Sequence, residues 1–227
     1  MLIPRQEYET ALAEVRRLGR GLPEADRRYR HMTRPRDVLY TVPHGAPGND
    51  AIAPEVGFAA FEQTLARGVD ADIILSVCCR YGITDMNRPW SRNTNFRREV
   101  RRRIVEDKPR LVIDVHSFPD VYPGFQGRDV VLLHTKNETD KEFLRHYATL
   151  LKLASIELGQ PAVIDVQDQT KPIIHDIVRE SRELGIPANS TMLVEHNESG
   201  CAPLYGAMHA RAVRALLAER KVPTVAS

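Results

Sequence analysis

The chain has 227 residues, of which 42% are hydrophobic and 27% charged, a balance ordinary for a soluble globular protein and sufficient for a full α/β core. A net charge of +2 argues against nucleic acid as the main partner, since phosphate binding normally leaves a strong basic excess. No apolar run approaches a membrane span, and the N-terminus lacks a basic stretch followed by an apolar one, so the reading is a cytoplasmic protein without a membrane partner. The three cysteines, two of them adjacent (Cys78, Cys79), make no disulfide framework and no CxxC zinc site; they read as small buried apolar groups in a reducing compartment.

Residues 5–18 carry Tyr8, Ala11, Leu12, Val15 and Leu18 at helical spacing, and Gly19 and Gly21 end that segment. An arginine-rich connection over 21–36 leads to a strand at Asp37–Val42, which ends in Pro43-His44-Gly45. Pro54 suits the first turn of a helix that runs to about Arg67, with Gly68 beyond it. Asp72–Val77 is nearly all apolar and predicts a strand buried on both faces. Thr94 would cap a helix with Phe96, Val100 and Ile104 on one side, and Pro109 would end it. The arginines of 97–103 then read as the wet face of that helix. Strands follow at Leu111–His116 and Val130–Leu133, then an amphipathic helix over 138–158 closed by Gly159. A strand at Ala162–Val166, a helix opened by Thr170 and Pro172 and running to Leu184, a strand at Thr191–Glu195 and a helix at Pro203–Arg220 complete the chain.

Strands and helices alternate, so the expected fold is one α/β domain over 1–227, its core at about 37–220. A central mixed, mostly parallel sheet would carry helices on both faces. Ligands of such sheets bind beyond the carboxyl ends of the strands. Polar clusters fall there: His44, Asp85-Met-Asn87-Arg88, Asp114-Val-His116-Ser117 and Glu195.

Either histidine alone would read equally as a hydrogen-bonded turn residue. Two of them at strand ends on one sheet edge favour a metal, and neutral imidazole suits zinc. Asp114 lies two residues before His116, on the same side of a strand, and could orient a ligand. A third ligand would come from Asp50, Glu55 or Glu62; Asp50 is preferred because a glycine-containing loop could fold it back towards His44. Arg88 and Asn87 could bind a substrate carboxylate, the guanidinium bidentately. Arg80 could polarise a scissile carbonyl. Glu195 could act as general base and acid, with Glu198 and His196 as secondary candidates. Cys201 has no case as a nucleophile and reads as a buried or incidental thiol.

These segments, VPHG, RYGITDMNRPW, VIDVHS and VEHNESG, resemble the N-formylglutamate amidohydrolase family and, more widely, the zinc carboxypeptidase and aspartoacylase group. The resemblance is dispersed over about residues 38–200, and DMNRPW is its most specific piece. It implies one Zn²⁺ per chain, a zinc-carboxypeptidase-like fold and hydrolysis of an amide on an acidic amino acid, N-formylglutamate or a similar N-acyl amino acid, a small anionic substrate carrying a carboxylate. On the same basis His44 and His116 match the zinc histidines, Glu195 the catalytic glutamate, Asn87 and Arg88 the carboxylate grip, and Arg80 the carbonyl-assisting arginine. The sequence departs from the pattern at Pro47, where carboxypeptidases and aspartoacylases place an acidic ligand. A poly-γ-glutamate hydrolase of the same fold, with its acidic ligand further along, is an alternative that favours Asp50. A non-catalytic anion-binding domain that has lost the metal is the alternative from another class. The sequence does not fix the oligomeric state.

Overall fold

A computed structural model describes residues 36–44, 51–76, 93–168 and 176–219, all within the unit Pro35–Ser227. The expected helix at 5–18 lies outside the described residues. The strands are β1 (Val38–Val42), β2 (Ala71–Leu75), β3 (Leu111–Phe118), β4 (Val130–His134), β5 (Ile164–Asp168) and β6 (Thr191–Asn197). The helices are α1 (Ala53–Ala66), α2 (Asn95–Asp107), α3 (Lys141–Glu157), α4 (Asp176–Glu183) and α5 (Ala202–Glu219). The strands form one six-stranded sheet in the order β2-β1-β3-β6-β4-β5. All neighbouring pairs are parallel except β4 with β6, so the sheet is mixed and mostly parallel, as the alternation of elements predicts.

Period-two alternation divides each strand between two cores. Val38, Tyr40, Val42, Leu111, Ile113, Val115, Met192 and Val194 face α1, α3 and α5. Leu39 and Val112 join Phe96, Val100 and Ile104 of α2 and Ile177 of α4 on the other face. Local sequence explains where the helices start and stop. Thr94 accepts a hydrogen bond from the Arg97 amide at 3.4 Å, and Asp140 accepts one from the Phe143 amide at 2.8 Å. Gly159, just past α3, has φ +72°, a left-handed conformation that glycine adopts without strain.

Two expectations are corrected. The β2 strand is not buried on both faces; it is the edge of the sheet, and four of its five residues are half-buried. Its apolar composition does not encode that no strand among the described residues lies beyond it. The arginines of α2 are not all solvated either, since Arg97 is fully buried and Arg103 nearly so. Arg97 Nε donates to Glu180 of α4 at 3.1 Å, and Arg101 reaches the same carboxylate at 2.9 Å. Arg103 meets Asp72 of β2 at 2.8 Å and Asp107 at 3.0 Å. Glu180 and Asp72 come from other elements, α4 and β2, while Asp107 lies one turn further along α2, and burial of a guanidinium is tolerated only where such partners meet it.

The topology creates a crevice. From β1 the chain moves outward through α1 to β2, then returns through α2 on the opposite face to β3, on the other side of β1. The strand order therefore reverses between β1 and β3, the kind of point where open α/β sheets hold ligands.

Candidate functional site

His44 follows β1 and His116 lies near the end of β3, so the two histidines flank that crevice. Thr41 of β1 stands opposite Asp114 of β3 in the parallel ladder. Two and three residues further on, the His116 and His44 rings meet edge-to-face, their centroids 5.1 Å apart. Both are nearly fully buried, at 4% and 2% exposure. On the other side of β3, His116 stands opposite Glu195 in the pairing with β6. Side chains on paired positions of neighbouring strands share a face, so Glu195 lies beside His116; it is half-buried.

Asp114 is fully buried on the same face. Its Oδ2 lies 3.1 Å from His116 Nε2, and its Oδ1 accepts a hydrogen bond from the Thr41 hydroxyl at 2.6 Å. The carboxylate fixes the tautomer: Nε2 carries the proton, so any metal bond of His116 falls to Nδ1. Thr41 was missed in the sequence. Its signal is a single hydroxyl within the apolar strand VLYTV, and only the strand pairing shows what it holds.

Two imidazoles at neighbouring strand ends, one backed by a carboxylate, are a donor set suited to zinc, and His44 and His116 would hold it. Among the described residues no group of three or more His, Cys, Asp or Glu side chains is placed to hold a metal. Glu55 and Glu62, both on α1, therefore do not complete a ligand set with the histidines. Glu62 is solvent-exposed, and burial raises the Glu55 carboxyl above its ordinary range. Asp50, Arg80, Asn87 and Arg88 lie outside the described residues.

Glu198 has a local role. Its Oε1 accepts from the Ala51 amide at 2.9 Å and from the Ser117 hydroxyl at 3.2 Å. It thus ties the entry to α1 to the ends of β3 and β6, next to the crevice. Cys201 is exposed rather than buried.

On the opposite face of β6, burial pushes the His196 imidazole down to about 4 and lowers that of His209 well below its usual value. His196 Nδ1 lies 3.0 Å from the carbonyl oxygen of His116. Its Nε2 is 2.8 Å from His209 Nε2, whose Nδ1 is 2.9 Å from the Tyr147 hydroxyl.

The chain matches no protein-family model and no curated protein. Its fold is similar to that of solved structures. One is a gene product of Agrobacterium tumefaciens, with TM-score 0.54 and 17% identity over 81% of this chain and 91% of that one. Another is a metallo-carboxypeptidase from Burkholderia cenocepacia, with TM-score 0.53 and 12% identity over 87% of this chain. A third is the product-bound cell shape determinant protein of Helicobacter pylori, with TM-score 0.51 and 11% identity over 83% of this chain. The chain spans 59% of the carboxypeptidase and 52% of the cell shape determinant. At these identities the likeness is one of fold: the six-stranded α/β architecture is metallo-carboxypeptidase-like. No helix among the described residues is long and apolar enough to cross a membrane.

Proposed function

We propose that this chain is a zinc-dependent amidohydrolase that cleaves an amide of an acidic amino acid, N-formylglutamate or a similar N-acyl amino acid. The observation that supports it best is the juxtaposition at the crevice. The His44 ring rests on His116, Asp114 stands behind His116 Nε2, and Glu195 stands opposite His116 in the strand pairing. This reading makes His44 and His116 the metal-holding histidines, joined by Asp50. A zinc ion there would supply a Lewis acid beside the scissile carbonyl. Glu195 takes a proton from the attacking water and delivers it to the departing amine, so one carboxylate serves as base and then as acid. Asn87 and Arg88 bind the substrate carboxylate, and Arg80 donates to the carbonyl oxygen as negative charge develops on it. A γ-linked glutamate polymer is the alternative substrate of the same chemistry.

Metal content tests this reading directly. The expected result is about one zinc per chain, lost in both His44→Ala and His116→Ala. Glu195→Gln should keep the zinc and lose turnover of N-formylglutamate by a factor on the order of 10² to 10⁴. A purified protein without tight zinc, and inactive when zinc is supplied, would replace this reading with the non-catalytic anion-binding domain.

A further inference from the structure

On the face of the sheet away from Glu195, three polar side chains are packed into the core with almost no exposure: His196 at 0%, His209 at 1% and Tyr147 at 0%. They come from β6, α5 and α3, so no local motif places them together. Their hydrogen bonds have only one self-consistent direction. The carbonyl oxygen of His116 can only accept, so His196 Nδ1, 3.0 Å away, must carry a proton. A neutral His196 then has a lone pair on Nε2. His209 Nε2, at 2.8 Å, must donate to it. His209 Nδ1 is then an acceptor, and the Tyr147 hydroxyl donates to it across 2.9 Å. A second proton on His196 would set its Nε2–H against the His209 N–H, and one on His209 Nδ1 would force the Tyr147 hydroxyl to accept instead of donate, in a core where no carboxylate is hydrogen-bonded to either imidazole among the described residues.

We propose that Tyr147, His209 and His196 form a unidirectional hydrogen-bond chain that positions His116 by holding its backbone carbonyl. The chain fastens α3 and α5 to the point where β3 and β6 present His116 and Glu195 side by side. Because successive strand residues point to opposite faces, Glu195 and His196 divide the work: the first faces the crevice, the second anchors its neighbour strand from behind. Tyr147 and His209 are positioning residues, acting through His196 on His116. The positioning role rests on the zinc-site reading; the hydrogen-bond direction does not.

Two measurements separate the two. Long-range proton–nitrogen correlation spectra of the metal-free full chain at pH 7 should show His196 as the Nδ1–H tautomer and His209 as the Nε2–H tautomer. Finding His196 protonated on Nε2 instead would overturn the chain. Zinc affinity, measured by competition with a chromophoric chelator, should fall roughly tenfold or more in His209→Leu, which leaves His196 Nε2 without its donor. His209→Gln, which restores an N–H at about that place, should return to within roughly threefold of wild type. Tyr147→Phe, the milder change, should weaken zinc binding in the same direction, and keeps the test usable should the leucine variant not fold. Unchanged zinc affinity in folded His209→Leu and Tyr147→Phe proteins would overturn the positioning role while leaving the zinc site standing. A wild-type chain that binds no zinc would overturn the zinc-site reading, and the positioning role with it.

Discussion

Replacing Asp114 by asparagine isolates the contribution of one buried carboxylate to the crevice. In the native arrangement one oxygen takes the His116 Nε2 proton at 3.1 Å and the other takes the Thr41 hydroxyl proton at 2.6 Å. Asparagine can keep both contacts only by turning its oxygen to His116 and its amide to Thr41, whose hydroxyl then accepts instead of donating. Shape and connectivity survive, and the charge that raises the basicity of the imidazole is lost. Removal of such a supporting carboxylate typically lowers metal affinity by about 10- to 100-fold, or about 1.4–2.7 kcal/mol. Asp114→Ala is harsher, because the buried hydroxyl and the buried ring N–H both lose this acceptor. At about 1–3 kcal/mol for each group, stability should fall by roughly 2–6 kcal/mol. Chelator competition would measure the first effect and urea unfolding the second. An asparagine variant that binds zinc as tightly as wild type, together with an alanine variant whose unfolding midpoint does not move, would refute the role given to Asp114.

Three further outcomes follow from the packing. Glu180→Ala removes the carboxylate shared by buried Arg97 and half-buried Arg101, so stability should drop by about 3–5 kcal/mol in denaturant unfolding; a loss under about 1 kcal/mol would mean the pair is not closed to solvent. Gly206→Ala would set a Cβ 2.7 Å from the Ala59 carbonyl carbon and 2.8 Å from the Ala60 nitrogen, so α5 and α1 must part, at about 1–3 kcal/mol; a neutral variant would refute that close approach. Stability should also fall as pH drops from 6.5 towards 4. In that window the unfolded chain protonates His196 and His209 while the native core, with both imidazoles depressed, does not. The shift of His196 to about 4 accounts for about 3 kcal/mol of this loss, read as a falling urea midpoint, and a flat profile across the window would refute it.

The fold was largely legible because its signals are local. Thr94 and Asp140 cap their helices through their own side chains, and the stripe Phe143, Leu144, Tyr147, Leu150, Leu151 and Ala154 lies on one side of α3. What failed depends on partners remote in sequence. The apolar run of β2 looks central, but strand order decides that it is an edge. The α2 periodicity identifies Phe96, Val100 and Ile104 correctly as core, but composition alone assigns every arginine to water. Arg97 and Arg103 flank the apolar stripe, and they can be buried because the fold brings Glu180 and Asp72 to them.

The crevice was legible for a different reason. Chemistry in an α/β sheet gathers at strand ends, and strand ends are marked by the change from apolar to polar residues. That rule picks out His44, His116 and Glu195, whose positions need only the order β1-β3-β6 to become neighbours. It cannot pick out the residues that support them. Thr41 lies inside its strand, and His209 and Tyr147 lie inside helices, where each reads as one more member of a buried face. Their roles come from pairings across 73 positions between Thr41 and Asp114 and across 62 between Tyr147 and His209. Strand-end positions are therefore legible in the sequence one residue at a time, whereas the groups packed behind them are defined only by the fold. Substitutions at Thr41 or His209 should thus change the behaviour of His116 without touching any substrate.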